Sequence, residues 1–329
     1  MDLTPLDGPA FAHAIATGDV YDRLAGPDGS VVVVEADDLP DRLNADGMRR
    51  LATLPAVVVA RTSSADRRPE WADLVSEPDD PLLEAVVDVV RTRPLAATVL
   101  TMLLRSGSGR SIQEGLVAES TAYGLLQAGP EFARWRAGHP VRRRAVSDEP
   151  PVLVERHGDE LAITLHRPHV RNALDSAMRD GLVEALTVAE RDPSVAVVNV
   201  RGSGESFCSG GDLDEFGSRS DAPTAHLVRL LASPARSLAE VADRTVVHLH
   251  GDTVGSGIEL AAFAGRVVAA ATTRISLPEV RLGLIPGSGG TVSLPRRIGR
   301  HRTLRLALST DPIGVDTALG WGLVDDVTG

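Results

Sequence analysis

Three glycine-rich turns hold the residues best suited to chemistry. The first is Glu205-Ser206-Phe207-Cys208-Ser209-Gly210-Gly211-Asp212-Leu213, directly after the run Val195–Arg201. The second is His250-Gly251-Asp252-Thr253-Val254-Gly255-Ser256-Gly257-Ile258-Glu259-Leu260, directly after Val246–His250. The third runs from Leu277-Pro278-Glu279 through Leu284-Ile285-Pro286-Gly287 to Ser288-Gly289-Gly290-Thr291. A glycine-rich turn between a strand and a helix points backbone N–H groups outward, and the helix adds its positive end. Two such turns from neighbouring strands supply two donors to one oxyanion, worth a few kcal/mol for each donor. Taken singly, each turn reads as structural. Gly255-Ser256-Gly257 lacks the full dinucleotide fingerprint. Val254 stands where a Gly-x-Ser-x-Gly nucleophile elbow needs its first glycine. No His, Cys and Asp cluster has metal-ligand spacing.

Strands and helices alternate around these turns. Val152–Glu155 and Leu161–Leu165 read as a hairpin about His157-Gly158-Asp159. Arg171 to Glu190 is expected to be a helix, Val195–Arg201 and Val246–His250 strands, Gly257 to about Gly265 a helix, and Arg266–Ala270 a strand. That order predicts parallel crossover units. Ahead of it, Arg142-Arg143-Arg144-Ala145-Val146-Ser147-Asp148-Glu149-Pro150-Pro151 reverses charge and ends in two prolines, a domain boundary. Before that boundary, Val31–Val34 and Val57–Val59 read as short buried strands flanking a helix over Leu43–Leu54. Residues 80–137 carry helical spacing, with Ser111 three residues ahead of Glu114 as a helix start. The division is therefore residues 1–147 and 152–329.

Bulk composition narrows the function classes. The chain has 329 residues, 43% hydrophobic and 24% charged, enough for a sizeable core without staples. Aromatics are only 3%, which argues against stacking on single-stranded nucleic acid. A net charge of -11 disfavours nucleic acid and anionic membrane as partners. No lysine occurs, so any phosphate must meet arginine, histidine or backbone N–H groups. The single cysteine, Cys208, fits a reducing compartment and reads as a small buried filler. The N-terminus lacks a signal-peptide pattern and no apolar run is long enough to span a bilayer, so a cytoplasmic protein is expected.

In combination the turns become specific. Residues 152–329 resemble the core of the enoyl-coenzyme A hydratase/isomerase (crotonase) family. Arg167-Pro168 with Asn172-Ala173-Leu174 resembles its opening segment, and Phe207-Cys208-Ser209-Gly210-Gly211-Asp212 its first oxyanion-hole loop. Gly255-Ser256-Gly257-Ile258-Glu259-Leu260 resembles the second loop, Pro278-Glu279 through Pro286-Gly287 the second acid segment, and Gly322-Leu323-Val324-Asp325 a closing marker. The resemblance implies a crotonase-type α/β spiral and an acyl-coenzyme A thioester as substrate, with no separate cofactor. It implies that the N–H groups of Gly211 and Ser256 hold the thioester oxygen, while Glu259 and Glu279 hold a water and move protons. Arg167, Ala173, Leu174, Ser209, Gly210, Asp212, Gly255 and Gly287 are the implied coenzyme or substrate contacts. Isomerases of the family often need only the acid at the Glu279 position, so retention of both favours hydration of a 2-enoyl thioester or the reverse dehydration. Isomerisation, hydrolysis, decarboxylation and a non-catalytic scaffold are the alternatives. Trimers or hexamers are common in the family. Without the resemblance, Glu259 reads as a helix-start acid and Glu279 as a turn residue. His248 and His250 share one strand face and read as structural.

Several positions depart from the family. Ser256 replaces a glycine, and Asp252 adds an acid that either biases the two glutamates or faces solvent. Family members continue well past the closing marker, whereas this chain stops at Gly329. Residues 80–145, with Ser111-Ile112-Gln113-Glu114-Gly115-Leu116, Glu119 and Glu131 through Arg144, resemble the family's terminal helices. The expected fold is a crotonase core with an N-terminal α/β and helical region, either circularly permuted or carrying a degenerate second copy. Arg142–Arg144, Arg167, Arg171, Arg296, Arg297, Arg300 and Arg302 are the candidates for coenzyme phosphates.

Overall fold

Valine runs build the first sheet because both of their faces find cover. The computed structural model describes residues 5–21, 30–64, 67–142, 148–218, 221–309 and 311–328. Its N-terminal part contains α1 (Gly8–Thr17), β1 (Ser30–Glu35), α2 (Ala45–Ala52), β2 (Ala56–Arg61) and β3 (Leu74–Ser76). The strands form a parallel three-stranded sheet in the order β1-β2-β3. Val32, Val34 and Val58 pack with Phe11, Ile15, Leu51 and Trp71 on one face. Val31, Val33, Val57 and Val59 face the other way and join the main core. Parallel sheets are stable when covered on both sides, and alternation along each strand provides this.

The second cover is helical: α3 (Leu82–Thr92), α4 (Pro94–Arg105), α5 (Ile112–Gln127) and α6 (Pro130–Gly138). The expected start of α5 is a full capping box, with Glu114 N–H donating to Ser111 Oγ at 3.2 Å and Ser111 N–H to Glu114 Oε2 at 2.8 Å. The boundary segment 143–147, with Arg143 and Arg144, lies outside the described residues.

The remaining elements are β4 (Val152–His157), β5 (Glu160–Leu165), α7 (Ser176–Arg191), β6 (Val197–Gly202), α8 (Ala222–Leu231), α9 (Pro234–Glu240), β7 (Thr245–Leu249) and β8 (Asp252–Val254). Then follow α10 (Ser256–Ala261), β9 (Arg266–Ala270), β10 (Arg274–Ser276), α11 (Gly290–Leu308), β11 (Ile313–Gly314), α12 (Val315–Trp321) and β12 (Asp326–Thr328). A six-stranded sheet runs β12-β9-β7-β6-β5-β4, parallel except for the β4–β5 hairpin. A smaller sheet runs β11-β10-β8. Each of β7 and β9 leaves the large sheet and enters the small one as β8 and β10, while Cys208, past β6, bridges to Thr253 of β8. The chain therefore winds as a spiral, and the glycine-rich turns stack at its edge.

The helix expected from Arg171 begins five residues later. Arg171 and Asn172 adopt left-handed φ of 52° and 53°, which ends any helix there, and Asp175 caps α7 through Met178 N–H at 2.8 Å. The helical block packs on the spiral rather than beside it: α5 lies against α8, α9 and α11, and both α3 and α6 touch the 3-10 turn Glu279–Leu282. A buried ionic node ties the first sheet in as well. Asp73 is 1% exposed and accepts from Arg105 Nε at 2.7 Å and from Arg300 of α11 at 3.2 Å.

Candidate active site

The first two glycine turns run side by side. Val254 N–H donates to Cys208 O at 2.9 Å, and a Cβ placed on Gly211 would stand 3.8 Å from Ser256 Oγ. Leu174 pairs with the first turn by donating to Gly210 O at 2.8 Å and accepting from Asp212 N–H at 2.9 Å. The two bonds of this bridge use Gly210 O and Asp212 N–H and not the Gly211 N–H. Ser256 opens α10, so its N–H has no partner within the helix. Both residues line one cleft together with Glu259 and Glu279. Both residues thus lie on a cleft that also contains two acids.

Those acids are buried, Glu259 to 1% and Glu279 to 8% exposure. Glu259 Oε2 accepts from Ser288 N–H at 2.7 Å and Gly290 N–H at 2.9 Å. Burial pushes the Glu259 carboxyl well above the usual carboxylate range, and the neighbouring Glu279 and Glu119 push in the same direction. Burial, with Glu119 nearby, also lifts Glu279, to about 7. The Oε2 of Glu279 is buried and has no hydrogen-bond partner among the described residues. A buried, unpartnered carboxyl oxygen is costly unless a water or ligand meets it. The arrangement can therefore hold a water beside the acids and keep one acid protonated near neutral pH.

A family profile described as enoyl-CoA hydratase/isomerase matches residues 158–329. The 2,3-dehydroadipyl-CoA hydratase of Escherichia coli K12 is 35% identical over 54% of this chain and 68% of that protein. The chain belongs to the enoyl-CoA hydratase/isomerase family. The 1,2-epoxyphenylacetyl-CoA isomerase of the same organism is 33% identical over 51% of this chain and 67% of that protein. A solved enoyl-CoA hydratase subunit from Geobacillus kaustophilus, 29% identical, superposes with a TM-score of 0.51 over 55% of this chain and 70% of that one. The spiral is the crotonase-type fold of this family.

Not every site residue expected from the family resemblance reaches the cleft. Leu174, Asp212 and Gly287 line it with the two amides and two acids. Ala173, Ser209, Gly210 and Gly255 lie outside the lining: Ser209 N–H donates to Arg171 O at 2.9 Å, and Gly255 backs directly onto Glu279. Arg167 is an internal brace. Its guanidinium bonds the Ala173 carbonyl, Asp175 at 3.0 Å and Asp212 at 3.2 Å. Arg296, Arg297, Arg300 and Arg302 likewise bond Val292 O, Leu323 O, Asp73 and Trp321 O. Arg171 and Arg142 keep largely exposed side chains near the turns, at Asp252 and Asp214. Asp252 faces Arg171 rather than the glutamates. His248 and His250 bond Asn199 and the Gly204 carbonyl. Cys208 is buried, with its thiol pushed up to about 12 by burial.

The acid that does join Glu259 and Glu279 is Glu119 of α5, which lines the cleft with Leu116, Ser120 and Tyr123. Its signal in the sequence was its place on the apolar stripe of the helix, between Leu116 and Tyr123 at helical spacing. Arg229 of α8 stands over Tyr123 with its guanidinium 4.7 Å from the ring centre. Among the described residues no helix is long and apolar enough to cross a membrane.

Proposed function

We propose that this protein adds water to a 2-enoyl-coenzyme A thioester, or removes it in reverse. The observation that carries the reading is the unpartnered Oε2 of buried Glu279 in a cleft shared with Glu259 and the Gly211 and Ser256 turns. In the forward direction the water oxygen bonds the β-carbon while its proton passes to Glu259, whose ionised form the Ser288 and Gly290 N–H groups favour against burial. The alkene pair shifts toward the carbonyl, and the thioester oxygen carries the charge between the Gly211 and Ser256 N–H groups. The enolate then collapses, taking a proton from Glu279 at the α-carbon. A carboxyl raised toward neutral pH holds that proton and still releases it, which suits general acid work. Two fixed donors lower the enolate's energy with no reorganisation.

The helical block belongs to the same reading. We propose that α5 and α6 close the cleft as the family's terminal helices do, making the chain a rearranged crotonase. Gly115 against Val292, Tyr123 against Gly287 and Phe132 against Gly283 support this.

The test is loss of the conjugated absorbance of crotonyl-coenzyme A and longer 2-enoyl thioesters, with the hydroxyacyl product identified by mass. Double-bond migration in 3-enoyl thioesters without hydration would replace this reading with isomerisation.

A further inference from the structure

Four consecutive amides ahead of and within the first turn of α11 are shared between two carboxylates. Ser288 and Gly290 N–H donate to Glu259 Oε2 at 2.7 and 2.9 Å. Gly289 N–H donates to Glu119 Oε1 at 2.7 Å, and Thr291 N–H to Glu119 Oε2 at 2.8 Å. Thr291 Oγ adds a third bond to Glu119 Oε2 at 2.7 Å. The loop is thus pinned from both sides, with alternate N–H groups taken by each acid.

We infer that Glu119 is a positioning residue for Glu259, fixing through the loop 288–291 the carboxylate that handles water in the reaction proposed above. The kinetic consequence rests on the hydration reading; the structural one does not. Both oxygens of Glu119 accept bonds from the loop, whereas both amide bonds to Glu259 fall on Oε2. Oε1 of Glu259 is the oxygen left to meet water. Glu119 is 2% exposed. A buried carboxylate is tolerated when several donors meet it, and here they come from one loop. Gly290 leaves that loop no slack against Glu259, since a Cβ there would lie 2.6 Å from Glu259 Cγ. A shift of the loop therefore moves Glu259. Were Glu119 only a cap of α11, its loss would cost stability and leave kinetics alone. The shared loop makes it a kinetic residue as well.

Glu119→Gln tests this, because the amide keeps the shape but turns an NH2 toward one of the loop N–H groups. Hydrogen exchange at residues 288–291 is expected to speed up about tenfold or more, reflecting lost local protection. Turnover is expected to fall on the order of 100-fold, the scale of a small misplacement, with KM for the thioester within about twofold. Parental turnover in folded Glu119→Gln overturns the inference, as does a loss confined to KM. Should that variant not fold, Thr291→Val removes one bond and leaves both acids. A several-fold drop in turnover with faster loop exchange supports the inference, and parental values overturn it. If the parent protein shows no 2-enoyl thioester turnover, the hydration reading fails. The exchange arm then decides the inference alone, and unchanged protection in the variants refutes it.

Discussion

Gly255 leaves room for the Glu279 carboxyl and no more: a Cβ on Gly255 would run into Oε1. Its φ of 48° also lies where side chains are strained. Gly255→Ala should displace Glu279 while leaving the Gly211 and Ser256 amides in the chain. We expect turnover to fall about 10- to 100-fold, as for a misplaced catalytic group, together with a lowered melting temperature. Steady-state kinetics and thermal unfolding check both arms. Parental kinetics would show that the contact does not set the acid.

Glu279→Gln should remove general acid chemistry without changing the shape of the cleft. Turnover is expected to drop by about 100-fold to 10,000-fold, while affinity for a saturated acyl-coenzyme A stays near the parental value. Calorimetric binding beside a stopped assay separates the two. Undiminished turnover would remove Glu279 from the mechanism.

The same substitution has a pH signature in stability. The folded-state pKa of Glu279 is raised from the unfolded 4.5 to about 7, so the folded protein binds the extra proton between those values. Its contribution is fully present below about pH 4.5 and is lost as pH rises through 7. Glu279→Gln, neutral throughout, should therefore gain melting temperature relative to the parent at pH 8. The gain should shrink toward zero near pH 5. A constant difference across that window would contradict a raised carboxyl.

Asp73 links the first sheet to α4 and α11 through Arg105 and Arg300. Asp73→Ala leaves Arg105 buried without its carboxylate, a loss of about 3–5 kcal/mol for a broken buried pair. Urea unfolding followed by circular dichroism should show a lower midpoint and still one transition, because Val31, Val57 and Leu100 share a core with Ile163 and Ile258. Two resolved transitions would mean the parts unfold separately.

Much of the architecture was legible as local pattern. Val31–Val34, the Val152–Leu165 hairpin and Arg266–Ala270 announce themselves by β-branched or alternating residues, and Ser111 with Glu114 announces α5. The start of α7 was misplaced because left-handed backbone at Arg171 and Asn172 is imposed by tertiary contacts, with Asn172 Nδ2 donating to Ser203 O at 2.8 Å and Ser206 O at 2.9 Å. Pro295 lies inside α11, and Gly299, where φ is 79°, breaks it. In the site, Glu259 and Glu279 stand out because they sit inside motif segments. Glu119 was legible only as part of the terminal-helix resemblance and not as a site residue, because its partners Gly289 and Thr291 come from the other half of the chain. Arg167 looked like a phosphate ligand for a related reason: sequence shows a cation but not the two carboxylates beside it.

Joining α5 to the loop 288–291 also bears on biosynthesis. Residues so distant in the chain meet late, since long loops must close before such contacts repay their entropy. Until the loop has left the ribosome, Glu119 can stay hydrated and ionised on a helix with an open apolar face. Catalytic competence would then arrive in the final stage of folding, and nascent chains lacking that loop should be inert and in need of shielding.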